Sequence, residues 1–132
     1  MIEFQAMFPV MVADDLELLK QFYEKHFGFN AVFFDPKFYL HLVSPDNGVQ
    51  LGFMLPNLES QPTLLHPKMV TEGYVISLEV ADAQKAYEQV KDLKLDIVFP
   101  LKEEVWGQRH FIIQDPAGFY LDIVEHLEVA EK

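Results

Sequence analysis

Cysteine is absent from all 132 residues. That excludes disulfides, thiolate metal ligands and a cysteine nucleophile together. Basic residues are scarce, with 10 Lys and Arg against 21 Asp and Glu, for a net charge of −11. Such an acidic surface repels phosphate backbones and anionic lipids, so nucleic-acid and membrane partners are not expected. Long hydrophobic runs are also missing, and no stretch nears the ~20 apolar residues that span a bilayer. The opening MIEFQAMF has no basic segment leading into a long apolar one, so no signal peptide is expected. A cytoplasmic location follows as an expectation. There is no GxSxG elbow, no P-loop and no GxGxxG.

Half the residues are hydrophobic and twelve are Phe. This composition belongs to one globular domain with a core of its own. Its organisation shows when the chain is read twice. Phe8 to Val12 reads as a short strand. Asp14 or Asp15 follows as a helix cap, Asp14 fitting a capping box with Glu17. Leu16, Leu19, Tyr23 and Phe27 make one apolar helical stripe, and Gly28 suits a left-handed C-cap. Strands are expected at 30–34, 38–43 and 49–55, separated by Asp35-Pro36 and by the turn-rich Ser44 to Gly48.

The same order returns further on. A strand is expected at 74–80, then a helix capped by Asp82 and running through Ala86, Tyr87, Val90 and Leu93. Strands follow at 95–99, ended by Pro100, at 108–114 and at 119–124. Asp115-Pro116-Ala117-Gly118 between the last two suits a type I turn. Asp15 and Asp82, Phe34 and Phe99, and Gly48 and Gly118 recur at offsets of 65 to 70 residues. The expected fold is therefore α+β, a repeat of two βαβββ modules at about 4–56 and 73–126. The Pro-rich, polar segment 57–72 is the connector.

FPVMVADDLELLKQFYEKHFGF resembles the first-module signature of the vicinal oxygen chelate superfamily (glyoxalase, bleomycin resistance protein, extradiol dioxygenase). VISLEVAD, Trp106-Gly107 and Asp115 to Gly118 resemble its second module. The resemblance spans about residues 5–126. It implies curved mixed sheets around a cleft, helices on the outer face, and modules paired within one chain or across a homodimer.

Enzymes of that superfamily usually hold one divalent metal, with a ligand seven residues before the Asp-Leu of a module and another four residues after the turn glycine. Carried over, the four positions are Phe8, Gly52, Val75 and Asp122. Three of these have no side-chain donor, and a bound divalent ion needs three or more protein ligands. Strand alternation puts Gln50 and Met54 on the face of Gly52, Ser77 and Glu79 on the face of Val75, and Tyr120 on that of Asp122. An unusual second-module cluster of His110, Glu79 and Asp122 is the alternative metal site. Otherwise His110 is a hydrogen-bonded lining residue and Glu79 a rim charge. His41 reads as structural or lining, and His26 as a helix-end residue favoured by the dipole. His66 and His126 carry no signal. Arg109 serves either an anionic group or an ordinary salt bridge.

Three functions compete. The resemblance is closest in style to metal-free bleomycin-resistance proteins, whose opening Phe8-Pro9-Val10 resembles. It implies a cleft that sequesters an antibiotic or an aromatic or cationic metabolite without any cofactor. Phe8, Trp106 and Tyr120 would pack on that ligand. The second is a lyase, isomerase or dioxygenase using one Mn, Ni, Fe or Zn ion. The third is a dimeric structural domain with a filled cleft.

Overall fold

A computed structural model of the chain describes residues 1–128. It contains two compact units, residues 1–70 and the chain from Thr71 onward. Each holds a four-stranded mixed sheet and one α-helix. The α+β repeat of two βαβββ modules is the observed architecture.

The first unit runs β1 (Val10–Val12), α1 (Leu16–Phe27), β2 (Asn30–Asp35), β3 (Tyr39–Val43) and β4 (Gln50–Met54). Strand order is β1-β4-β3-β2, with β1 parallel to β4 and the other pairs antiparallel. Alternation along each strand divides the sheet into two faces. Leu40, Leu42, Leu51 and Phe53 are buried on the helix side together with Leu16, Leu19 and Tyr23 of α1. The Tyr23 and Phe53 rings stack at 5.6 Å. Val10, Tyr39, His41, Gln50, Gly52 and Met54 occupy the opposite, helix-free face.

Asp15 is the helix cap, at φ 50°, and its carboxylate accepts from the Leu18 N–H at 3.1 Å. The Asp14–Glu17 capping box does not form. Asp14 instead pairs with Lys68 at 2.9 Å, because a left-handed Asp15 moves the start of the helix one residue on. Gly28 closes α1 at φ 69°, a backbone geometry that glycine adopts without strain. The strand expected from Phe8 begins only at Val10. Segment 57–70 is tied to the first unit rather than free. A 3₁₀ turn forms at Thr63–Leu65, Asn57 N–H donates to the His66 carbonyl, and Met69 N–H donates to the Val12 carbonyl.

The second unit runs β5 (Ile76–Glu79), α2 (Ala83–Asp92), β6 (Asp96–Glu104), β7 (Gln108–Gln114) and β8 (Tyr120–His126), in order β5-β8-β7-β6. Phe111, Ile113, Leu121 and Ile123 are buried on the side of α2, whose Tyr87 meets Phe111 edge-on at 5.1 Å. Asp82 caps α2 by accepting from Lys85 N–H at 3.0 Å. Glu125 of β8 accepts a second helix-end amide, that of Ala83, at 2.9 Å.

Two expected boundaries fail here. β5 starts at Ile76, so Val75 stands just before it. Pro100 does not end β6, which continues to Glu104. β6 is an edge strand, and its register against β7 shifts between Phe99 and Lys102. A bulge on a sheet edge is where a residue lacking an N–H costs no ladder bond.

Candidate functional site

The helix-free face of each sheet carries polar groups among apolar ones. In the first unit, β1 and β4 pair Val10 with Gly52, and β3 pairs His41 with Gly52. His41 Nδ1 lies 2.7 Å from Tyr39 Oη, and its Nε2 lies 2.7 Å from Gln50 Oε1. Phe8 stands edge-on to the His41 ring at 4.6 Å. Gly52 makes this arrangement possible, since a Cβ there would sit 2.3 Å from Tyr39 Oη. Burial raises the Tyr39 pKa above its ordinary value of 10.0. Met54 is buried at the end of β4, in register with Tyr39.

In the second unit, His110 is held between two carboxylates. Its Nδ1 is 2.7 Å from Asp122 and its Nε2 2.9 Å from Glu104. All three side chains are largely covered, at 11%, 14% and 9% exposure. Burial alone would lower the His110 pKa. The hydrogen bonds and charges of Glu104 and Asp122 outweigh it, and the pKa is raised. The hydrogen bond from His110 lowers the Glu104 pKa against the effect of burial, with help from Lys102.

Glu79 does not join this cluster. In the sheet register Glu79 faces Val124, and Val124 faces His110. Glu79 and His110 are thus two strand spacings apart, roughly 10 Å, with a buried valine between them. The Glu79 carboxylate is 70% exposed and bonds His126 instead. Glu104 takes the expected place, which the sequence hides because a proline at position 100 reads as a strand end. After Pro100 the sequence Leu101-Lys102-Glu103-Glu104 has no apolar-polar alternation to signal the continuing strand.

A cavity of about 340 Å³ opens on the same face, lined by Tyr74, Val75, Val98, Phe99, Ile112 and Tyr120. Val75 and Tyr120 were expected there. Tyr74, Val98, Phe99 and Ile112 were not. The Tyr74 hydroxyl is buried without a hydrogen-bond partner among the described residues. Its pKa is pushed up to about 12, by burial first and then by the charge of Asp115; the nearby Tyr120 backbone opposes this only weakly. Ser77 pairs with Asp122 in register but is itself exposed. Trp106 lies in the turn between β6 and β7, 62% exposed, and its indole N–H donates to Gln108 at 2.9 Å. It does not line the cavity. Arg109 forms ordinary ion pairs with Glu103 at 2.7 Å and Glu125 at 3.6 Å. His66 is held by the Gln61 carbonyl, and His26 packs on Phe22.

Two βαβββ units with polar residues on their helix-free faces match known proteins. The sequence profile of the Glyoxalase/Bleomycin resistance protein/Dioxygenase superfamily matches residues 7–123. The chain belongs to this superfamily. A solved superfamily member from Sphaerobacter thermophilus is 25% identical, with a TM-score of 0.72 over 94% of this chain and 98% of that one. A glyoxalase/bleomycin resistance protein/dioxygenase from Nocardioides gives 0.79 at 18% identity, over 99% and 89%. A lactoylglutathione lyase from Agrobacterium tumefaciens gives 0.73 at 19% identity, over 92% of each chain. At these last two identities the likeness carries the fold alone. No curated protein matches the chain.

The superfamily's divalent metal finds a poor set of donors in this chain. Phe8, Gly52 and Val75 have no donor atom, and Asp122 is hydrogen-bonded to His110. Both His110 nitrogens face carboxylate oxygens rather than a common point. Among the described residues no group of three or more His, Asp or Glu side chains is placed to hold a metal. The described residues do not fit the ion. Among the described residues no helix is long and apolar enough to cross a membrane.

Proposed function

We propose that this chain is a metal-independent small-molecule-binding protein, one that sequesters an antibiotic or an aromatic or cationic metabolite in the cytoplasm. The observation that carries this reading is the substitution of the ligand positions. Phe8, Gly52 and Val75 occupy positions where donors would stand, and the Tyr39 hydroxyl fills the space over Gly52. Asp122, the remaining acid, is spent on His110. Apolar and aromatic side chains line the second unit's cavity, whose volume is at the small end of ligand pockets. The net charge of −11 favours neutral and cationic ligands over anions.

A homodimer accompanies this reading. Large apolar side chains stand exposed in both units, among them Phe4, Met7, Val105 and Trp106. Covering side chains of this kind against a second copy of the chain would remove them from water.

The test is a thermal-shift screen of cationic antibiotics, aromatic metabolites and divalent metals, combined with metal analysis of protein purified without chelators. Stabilisation by an organic ligand, with no stoichiometric metal, is the expected result. Stoichiometric Mn, Ni, Fe or Zn that is lost on Asp122→Ala or His110→Ala would replace this reading with a metal-dependent enzyme.

A further inference from the structure

The hydrogen-bond chain on the first unit's helix-free face has a direction. The Gln50 amide oxygen only accepts, so the proton facing it belongs to His41 Nε2. A neutral imidazole carries one proton, which leaves Nδ1 bare. Tyr39 must then donate its hydroxyl proton to Nδ1. Tyr39 Oη keeps lone pairs that only accept, and the Gln50 amide keeps N–H groups that only donate. Neither group has another partner among the described residues, and both side chains are partly exposed. His41 spaces the two ends roughly 7 Å apart, about the length of one substituted aromatic ring, given hydrogen bonds of this length. Phe8, 42% exposed beside His41, and Phe33, 48% exposed and 6.2 Å from Tyr39, flank the pair with aromatic surface.

We infer that Tyr39, His41 and Gln50 form a ligand subsite of fixed polarity for a flat, neutral aromatic molecule. Its hydroxyl or N–H donates to Tyr39, and a carbonyl across the ring accepts from Gln50. This rests on the small-molecule-binding reading and narrows it. Gly52 belongs to the device, because any larger residue would push the Tyr39 hydroxyl out of line. Offset or edge-on packing against Phe8 and Phe33 supplies shape selectivity.

The probes are 4-hydroxyacetophenone, which has both groups, and 4-methoxyacetophenone, which lacks the donor. NMR titration of the ¹⁵N-labelled full chain gives both affinities and the His41 tautomer. The expected result is a preference for the hydroxyl probe of about tenfold, the loss of one good hydrogen bond. Tyr39→Phe abolishes the preference. Gln50→Glu, which has no N–H to give, weakens both probes, and unchanged backbone amide signals away from the first unit's helix-free face verify the fold of either variant. Equal affinity for the two probes, a preference that survives Tyr39→Phe, no binding of either probe, or a proton on His41 Nδ1 instead of Nε2 overturns the inference. The screen of antibiotics and metabolites separates the two failures. Ligands found there leave the binding reading standing without this subsite, and none found there ends both.

Discussion

Gly52 shows how one residue sets the chemistry of a face. Its missing Cβ leaves room for Tyr39 Oη, and an added methyl would also come within 3.1 Å of a Val10 methyl. Gly52→Ala should therefore displace the Tyr39 ring and break its bond to His41. The expected cost is about 1–3 kcal/mol, the range for overpacking, measured by urea unfolding. Gly52→Ala combined with Tyr39→Phe should cost less than the sum of the two, since the second change removes the clashing oxygen. Strict additivity would show that the contact is not what Gly52 serves.

His110 gives a pH prediction at the same scale. Its folded pKa is raised above 6.5, so its contribution to stability is complete below 6.5 and is lost as pH rises through the folded value. Glu104 is lowered below 4.5, so its contribution is present above 4.5 and is lost as pH falls through its own folded value. The clamp is thus strongest between about 4.5 and 6.5, where both charges exist. Wild type should melt above His110→Gln near pH 6, with a gap that narrows by pH 9. A gap that stays constant over that range would mean that no proton is held between the two acids.

At the scale of elements, each helix is fixed by a cap at one end and by an aromatic contact along its face. Asp82→Ala should cost about 1 kcal/mol by removing the acceptor for Lys85 N–H. Phe53→Ala should cost about 3–5 kcal/mol. Phe53 is fully buried, and its loss would open a void beneath Tyr23 and α1. Calorimetry on the two variants checks both values, and a similar cost for both would contradict the view that packing, more than capping, holds the helices in place. β6 carries a further lesson. A proline in sequence reads as a strand end, yet here it sits at an edge-strand bulge. The strand then continues far enough to bring Glu104 to His110.

For the whole molecule, the exposed apolar side chains favour association and the acid excess opposes it. Sedimentation at micromolar concentration should report twice the mass of one chain; a monomer there would remove the dimer. Association driven by apolar burial should survive raised salt, which screens the repulsion between two chains of charge −11. An assembly that dissociates as salt rises would point instead to pairing by charge.

The sequence by itself settled the repeat, the order of elements and most faces. Those follow from local rules: alternation along strands, an apolar stripe along a helix, and a cap or glycine at its ends. The resemblance also pointed to Phe8, Gly52, Val75 and Asp122 as the counterparts of the superfamily's ligand positions. Which polar groups meet was decided by tertiary structure. Register chose Glu104 over Glu79 as the partner of His110, by setting a buried valine between Glu79 and the imidazole. Register also brought Tyr39, His41 and Gln50 into one chain of hydrogen bonds above a glycine. Alternation tells which face a side chain takes, but only the pairing of strands tells which neighbours stand beside it.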